Sequence, residues 1–160
     1  ALQERLGLSQ VELKKVVLGK PAVLGYNVKS ILSSLAALQE RLELSEAELK
    51  QVVWSYSSDS QRFSALFCYS IESGASQMLA ALQERLGLSQ VELKKVVLRR
   101  PAVLGYTLKS ILPSIAALQE RLELSEAELK QVVLRFPGVL SCSTEANVLP
   151  TLAALQERLG

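Results

Sequence analysis

The side chains in this sequence best equipped to act on a partner are cationic. Lys95, Arg99 and Arg100 fall in one short stretch, Lys109 follows, and Arg135 closes a second Val-Leu-Arg phrase as Arg99 closes the first. Lys15, Lys20 and Lys29 hold the places that match Lys95, Arg100 and Lys109 earlier in the chain. Ammonium and guanidinium groups donate charge-assisted hydrogen bonds to phosphate oxygens, the contact that gives a polyanion its sequence-independent affinity. The competing reading of the same residues is a solvated helix face with no partner.

Other chemistry is excluded by what is missing. Histidine is absent, which removes Ser-His-Asp and Cys-His nucleophilic sites and the commonest imidazole ligand of zinc. There is one aspartate and no Gly-rich phosphate loop, so no enzyme, cofactor or metal is expected. Glu43, Glu46 and Glu48 resemble metal ligands by composition alone, because they fall around a helix start where acids complement the dipole. Cys68 and Cys142 are far apart and lack a C-x-x-C companion, which fits a reducing compartment rather than a disulfide framework. Charged residues interrupt every apolar stretch, so no membrane span is expected, and no targeting segment is present in this stretch of sequence. The net charge is +2, from 18 Lys and Arg against 16 Asp and Glu, so a basic surface must come from segregation. Residues 1–80 carry 8 basic and 8 acidic side chains and residues 81–160 carry 10 and 8, which places the surplus in the second half.

These cations ride on a repeat. The phrase Ala-Leu-Gln-Glu-Arg-Leu begins at Ala1, Ala37, Ala81, Ala117 and Ala154, with spacings of 36, 44, 36 and 37 residues. That period belongs to helical solenoids, in which each unit covers its neighbour's apolar face. Residues 1–36 match 81–116 except at six positions, and 37–53 match 117–133 without a change, so the true unit is a pair of repeats copied once. The sequence therefore reads as one array over 1–160: repeats about 1–36, 37–80, 81–116 and 117–153, and a partial repeat over 154–160. Repeat two carries an insertion near 54–61 and Ser64 where the others have Pro21, Pro101 and Pro137, and its Ser-rich text through Ser76 is expected to be its least ordered part.

Each repeat opens with an S-x-x-E capping box, at Ser9, Ser45, Ser89 and Ser125. A first helix over roughly 10–18 should follow, with Val11, Leu13, Val16, Val17 and Leu18 covering most of its circumference, so that neighbours sandwich it. Lys14 and its equivalents are expected to snorkel between apolar neighbours, and Glu126 with Lys130 to give ordinary i, i+4 support. Glu84-Arg85 and Glu120-Arg121, adjacent and unable to face each other, read as solubilising surface. Pro101 then stops the helix and a compact turn through Tyr106 leads into a longer helix striped by Leu108, Ile111, Ile115, Leu118 and Leu122. Pro113 and Pro150 are expected in the first turn of that helix type, where proline is tolerated. Tyr26 and Tyr106 sit at the turn and favour packing over base stacking; Trp54, Tyr56 and Tyr69 are assigned no chemistry.

With a proline followed by leucine-like residues at fixed offsets (Pro21, Leu24, Ile31, Leu38; Pro101, Leu104, Ile111, Leu118), the chain resembles the mitochondrial transcription termination factor (mTERF) family. Pro137 and Leu140 begin the pattern again, and Val148 and Leu155 continue it after a one-residue slip. The phrases Leu-Arg-Phe-Pro-Gly-Val-Leu-Ser over 134–141 and Leu-Gly-Leu-Ser over 86–89 share the family's idiom, and the likeness spans the chain apart from 54–78. The resemblance implies an all-α fold of tandem helix-turn-helix repeats, two helices and a short 3₁₀ turn each, stacked as a curved superhelical solenoid. It also implies a mitochondrial or chloroplast address and nucleic-acid binding, duplex DNA ahead of RNA, in transcription termination, transcription regulation or RNA metabolism. The alternative is a protein-interaction or structural scaffold of the same fold, and the exposed ends of such an array invite self-association.

Overall fold

The computed structural model describes residues 3–4, 7–19, 21–25, 27–57 and 75–159. Among them there are helices and turns and no strand. In chain order the α-helices are α1 (Gln10–Gly19), α2 (Val28–Leu42), α3 (Glu46–Ser57), α4 (Ala75–Leu86), α5 (Gln90–Arg99), α6 (Leu108–Leu122), α7 (Glu126–Arg135) and α8 (Leu149–Leu159). Helices α1, α5 and α7 have ten residues each, α2 and α6 fifteen, and α3 and α4 twelve, and 3₁₀ turns over Pro21–Gly25, Pro101–Gly105 and Pro137–Ser141 join α1 to α2, α5 to α6 and α7 to α8.

Local chemistry sets these boundaries. In the boxes of α5 and α7, Ser89 and Ser125 accept from the backbone N–H of Glu92 and Glu128, whose carboxylates accept from the serine N–H groups in return. Ser9 with Glu12 and Ser45 with Glu48 repeat the geometry. The chain turns left-handed at Gly7 and, at the ends of α2, α4 and α6, at Glu43, Gly87 and Glu123, with φ between 50° and 58°. The next residue's N–H reaches back to the helix, from Leu8 to Gln3, Leu44 to Gln39, Leu88 to Gln83 and Leu124 to Gln119. This is a Schellman cap closed by a leucine, and Leu8, Leu44 and Leu88 are buried by it.

The prolines divide. Pro150 lies in the first turn of α8, as expected, but Pro113 is the sixth residue of α6, inside the helix. It is exposed there, and the hydroxyls of Ser110 and Ser114 satisfy carbonyls nearby: Ser110 donates to Thr107 O at 2.8 Å and Ser114 to Ser110 O at 3.3 Å. The one-residue slip after Pro137 is absorbed by a wide π turn over Thr144–Val148, in which Val148 N–H reaches Ser143 O across five residues. That extra residue returns Val148 to the core-facing side, half-buried against it.

The short helices pack in order, α1 on α3, α3 on α5 and α5 on α7. The 101–105 turn rests on α3 and α4 and meets the 137–141 turn. The core runs through these contacts: Leu35, Leu38, Leu42, Val52, Leu93, Val96, Val97, Val103, Ile111 and Val133 are all fully enclosed. The expected stripe of α6 holds at Ile111, Ile115 and Leu118, whereas Leu122 is 38% exposed. The insertion near 54–61 shows as a longer α3, which runs to Ser57, two residues past the register at which Gly19, Arg99 and Arg135 end their helices; its remainder falls in residues 58–74, which lie outside the described residues. Cys68, Tyr26 and Tyr69 lie there too, and Tyr106 packs half-buried against the core.

A candidate nucleic-acid interface

Apart from Lys14 and the arginines of the Ala-Leu-Gln-Glu-Arg-Leu phrase, the described lysines and arginines form two sets. The first set lies between helices. Lys50 of α3 reaches Glu12 of α1 at 3.1 Å, Lys94 of α5 reaches Glu48 of α3 at 2.8 Å, and Lys130 of α7 reaches Glu92 of α5 at 2.8 Å. Each ammonium also donates to the carbonyl of the left-handed residue that precedes the same capping box: Gly7 at 3.3 Å, Glu43 at 3.0 Å and Gly87 at 2.9 Å. The ladder thus fastens each short helix to the cap of the one before.

The carboxylates record it. Ser9 N–H and then Lys50 hold Glu12 down to about 2, and Lys94 and then Ser45 N–H do the same for Glu48. Lys130 and then Ser89 N–H hold Glu92 at about 2 as well, while Glu128 is lowered by its own box at Ser125. Snorkelling is therefore the wrong account of Lys50, Lys94 and Lys130, and the partner of Lys130 is Glu92, not Glu126. The recurrent Glu-Leu-Lys at 12–14, 48–50, 92–94 and 128–130 carried the signal. An acid and a base two apart cannot meet on one helix, so their repetition in register points across helices.

The second set is exposed and has no acidic partner among the described residues. Lys95 and Arg99 lie four apart on α5, on one face. Arg100 follows as the C-cap, its N–H on Val96 O and its carbonyl accepting from Val103 at 3.0 Å. Arg135 ends α7, and Arg99 brings the two helix ends together: its Nη1 donates to Leu134 O at 2.9 Å and Arg135 O at 3.3 Å. Arg99 so caps the negative end of the next helix dipole while further guanidinium N–H groups remain. Lys109 stands in the first turn of α6 and Lys29 in the first turn of α2, neither of which carries an acid. A cation there reinforces the positive end of the dipole, an arrangement that favours an anion from outside. Lys15 is exposed on α1, in the place of Lys95, and Lys20 lies outside the described residues.

The mTERF family model matches residues 64–159. The chain belongs to the mTERF family. The matched stretch holds α4 to α8, the Arg99–Arg135 junction and two of the 3₁₀ turns. Residues 1–53 precede the match, yet they repeat 81–133 almost without change. No curated protein matches the chain. Among the described residues no helix is long and apolar enough to cross a membrane, and no three His, Cys, Asp or Glu side chains gather as a metal site. An mTERF chain is a helical-repeat protein of a family associated with nucleic acid, and such families are not typically enzymatic.

Proposed function

We propose that this mTERF chain is a curved superhelical array that binds nucleic acid, duplex DNA ahead of RNA, through Lys95, Arg99, Arg100, Lys109 and Arg135, with Lys15, Lys20 and Lys29 as the matching residues of the first copy. The reading extends to an organellar role in transcription termination, transcription regulation or RNA metabolism. One observation carries it. The two sets of cations are treated differently by the fold, since Lys50, Lys94 and Lys130 are consumed by carboxylates and carbonyls while the described members of the other set are exposed and pair with no described acid. The in-order stacking of α1, α3, α5 and α7 supports the solenoid reading, in which each unit packs on its neighbour.

The test is binding of labelled duplex DNA and single-stranded RNA across a salt series. Affinity should fall by about 0.9 log unit per log unit of salt for each duplex phosphate neutralised, and about 0.7 for a single strand. Changing Lys95, Arg100 and Arg135 together to Ala should lower both affinity and slope. Arg99→Ala is made separately, with a melting curve, because that side chain also caps α7. A folded chain that binds neither polymer, or a triple variant with unchanged slope, overturns the assignment.

A further inference from the structure

The junction between the second and third units is built from residues that the chain carries twice. Lys94 of α5 bridges to Glu48 of α3 at 2.8 Å and donates to the Glu43 carbonyl at 3.0 Å, and the Gln90 amide donates to the Arg41 carbonyl. The first side of this junction, Arg41, Glu43 and Glu48, recurs unchanged as Arg121, Glu123 and Glu128. The second side, Gln90, Lys94 and the 101–105 turn, recurs as Gln10, Lys14 and the 21–25 turn. Neither recurrence has its complement. Arg41, Glu48, Gln90 and Lys94 are half-buried, whereas Arg121, Glu128, Gln10 and Lys14 are exposed. Within residues 1–160 the ladder thus runs out in an acid on one side and a base on the other: among the described residues Glu128 has no lysine and Lys14 no acid. The apolar surfaces divide in the same way. Leu82 and Leu86 of α4 are buried, and α4 lies against α5, α7 and the 101–105 turn. Leu155 and Leu159 hold their places in α8 and are 48% and 82% exposed. The equivalents of the elements that cover α4 are α1, α3 and the 21–25 turn, and there Leu24 is itself uncovered.

We propose that these two faces are the halves of one interface between copies of this chain, in which α7 and α8 of one copy take α1, α3 and the 21–25 turn of a second. The contact rebuilds the junction of the second and third units, with Lys14 on Glu128 and the Glu123 carbonyl. A second copy is the occupant because one register satisfies both the charges and the leucines, with residues that already make this junction once inside the chain. In that register the phrase Ala-Leu-Gln-Glu-Arg-Leu at 154–159 takes the place of the same phrase at 1–6 of the second copy. An identical sequence replaces it, so the gain comes from the new Lys14 rung and the covered turn. The interface joins different faces of the two copies, and such a contact, unless its rotation closes a ring, goes on adding copies. In dilute solution the chain is single and both faces stay open. The inference stands on the in-order packing of the short helices and is independent of the nucleic-acid reading.

The experiment is sedimentation velocity of the 160-residue chain over a concentration series at low salt, without nucleic acid, beside Lys14→Glu, Glu128→Lys and Leu24→Glu. The mass of the parent should rise with concentration and pass beyond a dimer. Lys14→Glu and Leu24→Glu alter exposed side chains and should leave the melting curve of the dilute chain unchanged, while weakening association roughly tenfold or more. Glu128→Lys also removes a capping box, so its melting temperature should drop, and its association should weaken to the same degree. An equal mixture of Lys14→Glu and Glu128→Lys should associate again, because each variant carries the charge that the other's altered face requires, and a folding defect is not rescued in this way. A parent that stays monomeric at every concentration, a dimer that grows no further, or a mixture that fails to associate overturns the proposal. Each of these outcomes leaves the salt-dependent binding of nucleic acid to be decided by its own titration.

Discussion

Leu24 and Leu104 occupy the same place in two copies of one phrase, Pro-Ala-Val-Leu-Gly, yet Leu24 is 73% exposed and Leu104 is 5% exposed. Pro21 and Pro101 differ likewise, exposed in the first copy and buried in the second. The later turn rests on α3 and α4, helices of the unit before it, while the earlier turn has α1 as its main described neighbour. The reverse holds for the long helices. Leu42 of α2 is fully enclosed and Leu122 of α6 is 38% exposed, although both end the phrase Gln-Glu-Arg-Leu. Burial in this array is a property of position in the stack, because no unit can cover its own apolar surface.

The comparison can be broken most sharply by truncation. Leu104→Ala should cost about 2–5 kcal/mol, the range for a cavity in a close-packed core, and Leu24→Ala within about 0.5 kcal/mol, the range for a surface change. Denaturant unfolding of the two variants gives the answer, and equal losses would mean that the first turn is covered in solution.

A smaller effect is expected at the left-handed caps. Glu43 and Glu123 stand where the first and third units have Gly7 and Gly87, and a side chain in that backbone region costs about 1 kcal/mol or more. Glu43→Gly and Glu123→Gly should each stabilise by about 1 kcal/mol, and a drop in melting temperature for either would refute the strain argument.

Acid should separate the ladder from its end. The carboxyls of Glu12, Glu48 and Glu92 sit at about 2 in the fold against an ordinary 4.5, so their contribution is complete above about pH 4.5. It is lost as pH falls from there toward 2. Lys94→Met should reduce that loss, since the Lys94 contact is the largest cause at Glu48. Lys14→Met should leave the acid profile unchanged, because Lys14 makes no such bridge among the described residues. Identical acid profiles for the two variants would remove the ladder as the source.

Much of the local structure was legible. The four capping boxes gave the helix starts, Pro101 and Pro137 gave the turns, and the offsets of Ile111, Ile115 and Leu118 gave the buried face, since each depends on neighbours a few residues away. The π turn at Thr144–Val148 is legible only as a slip in spacing. The exposed cations were found by type, but the role of Arg99 as a cap on α7 was not, because its acceptors are 35 and 36 residues distant.

By itself the sequence determined that this chain is helical, built from one repeated helix pair, and without histidine, because periodicity, caps and composition are local properties. Tertiary structure decided which of two identical leucines is core and which of two similar lysines is consumed by a carboxylate. Those outcomes depend on which unit stacks against which, and identical phrases cannot encode different neighbours.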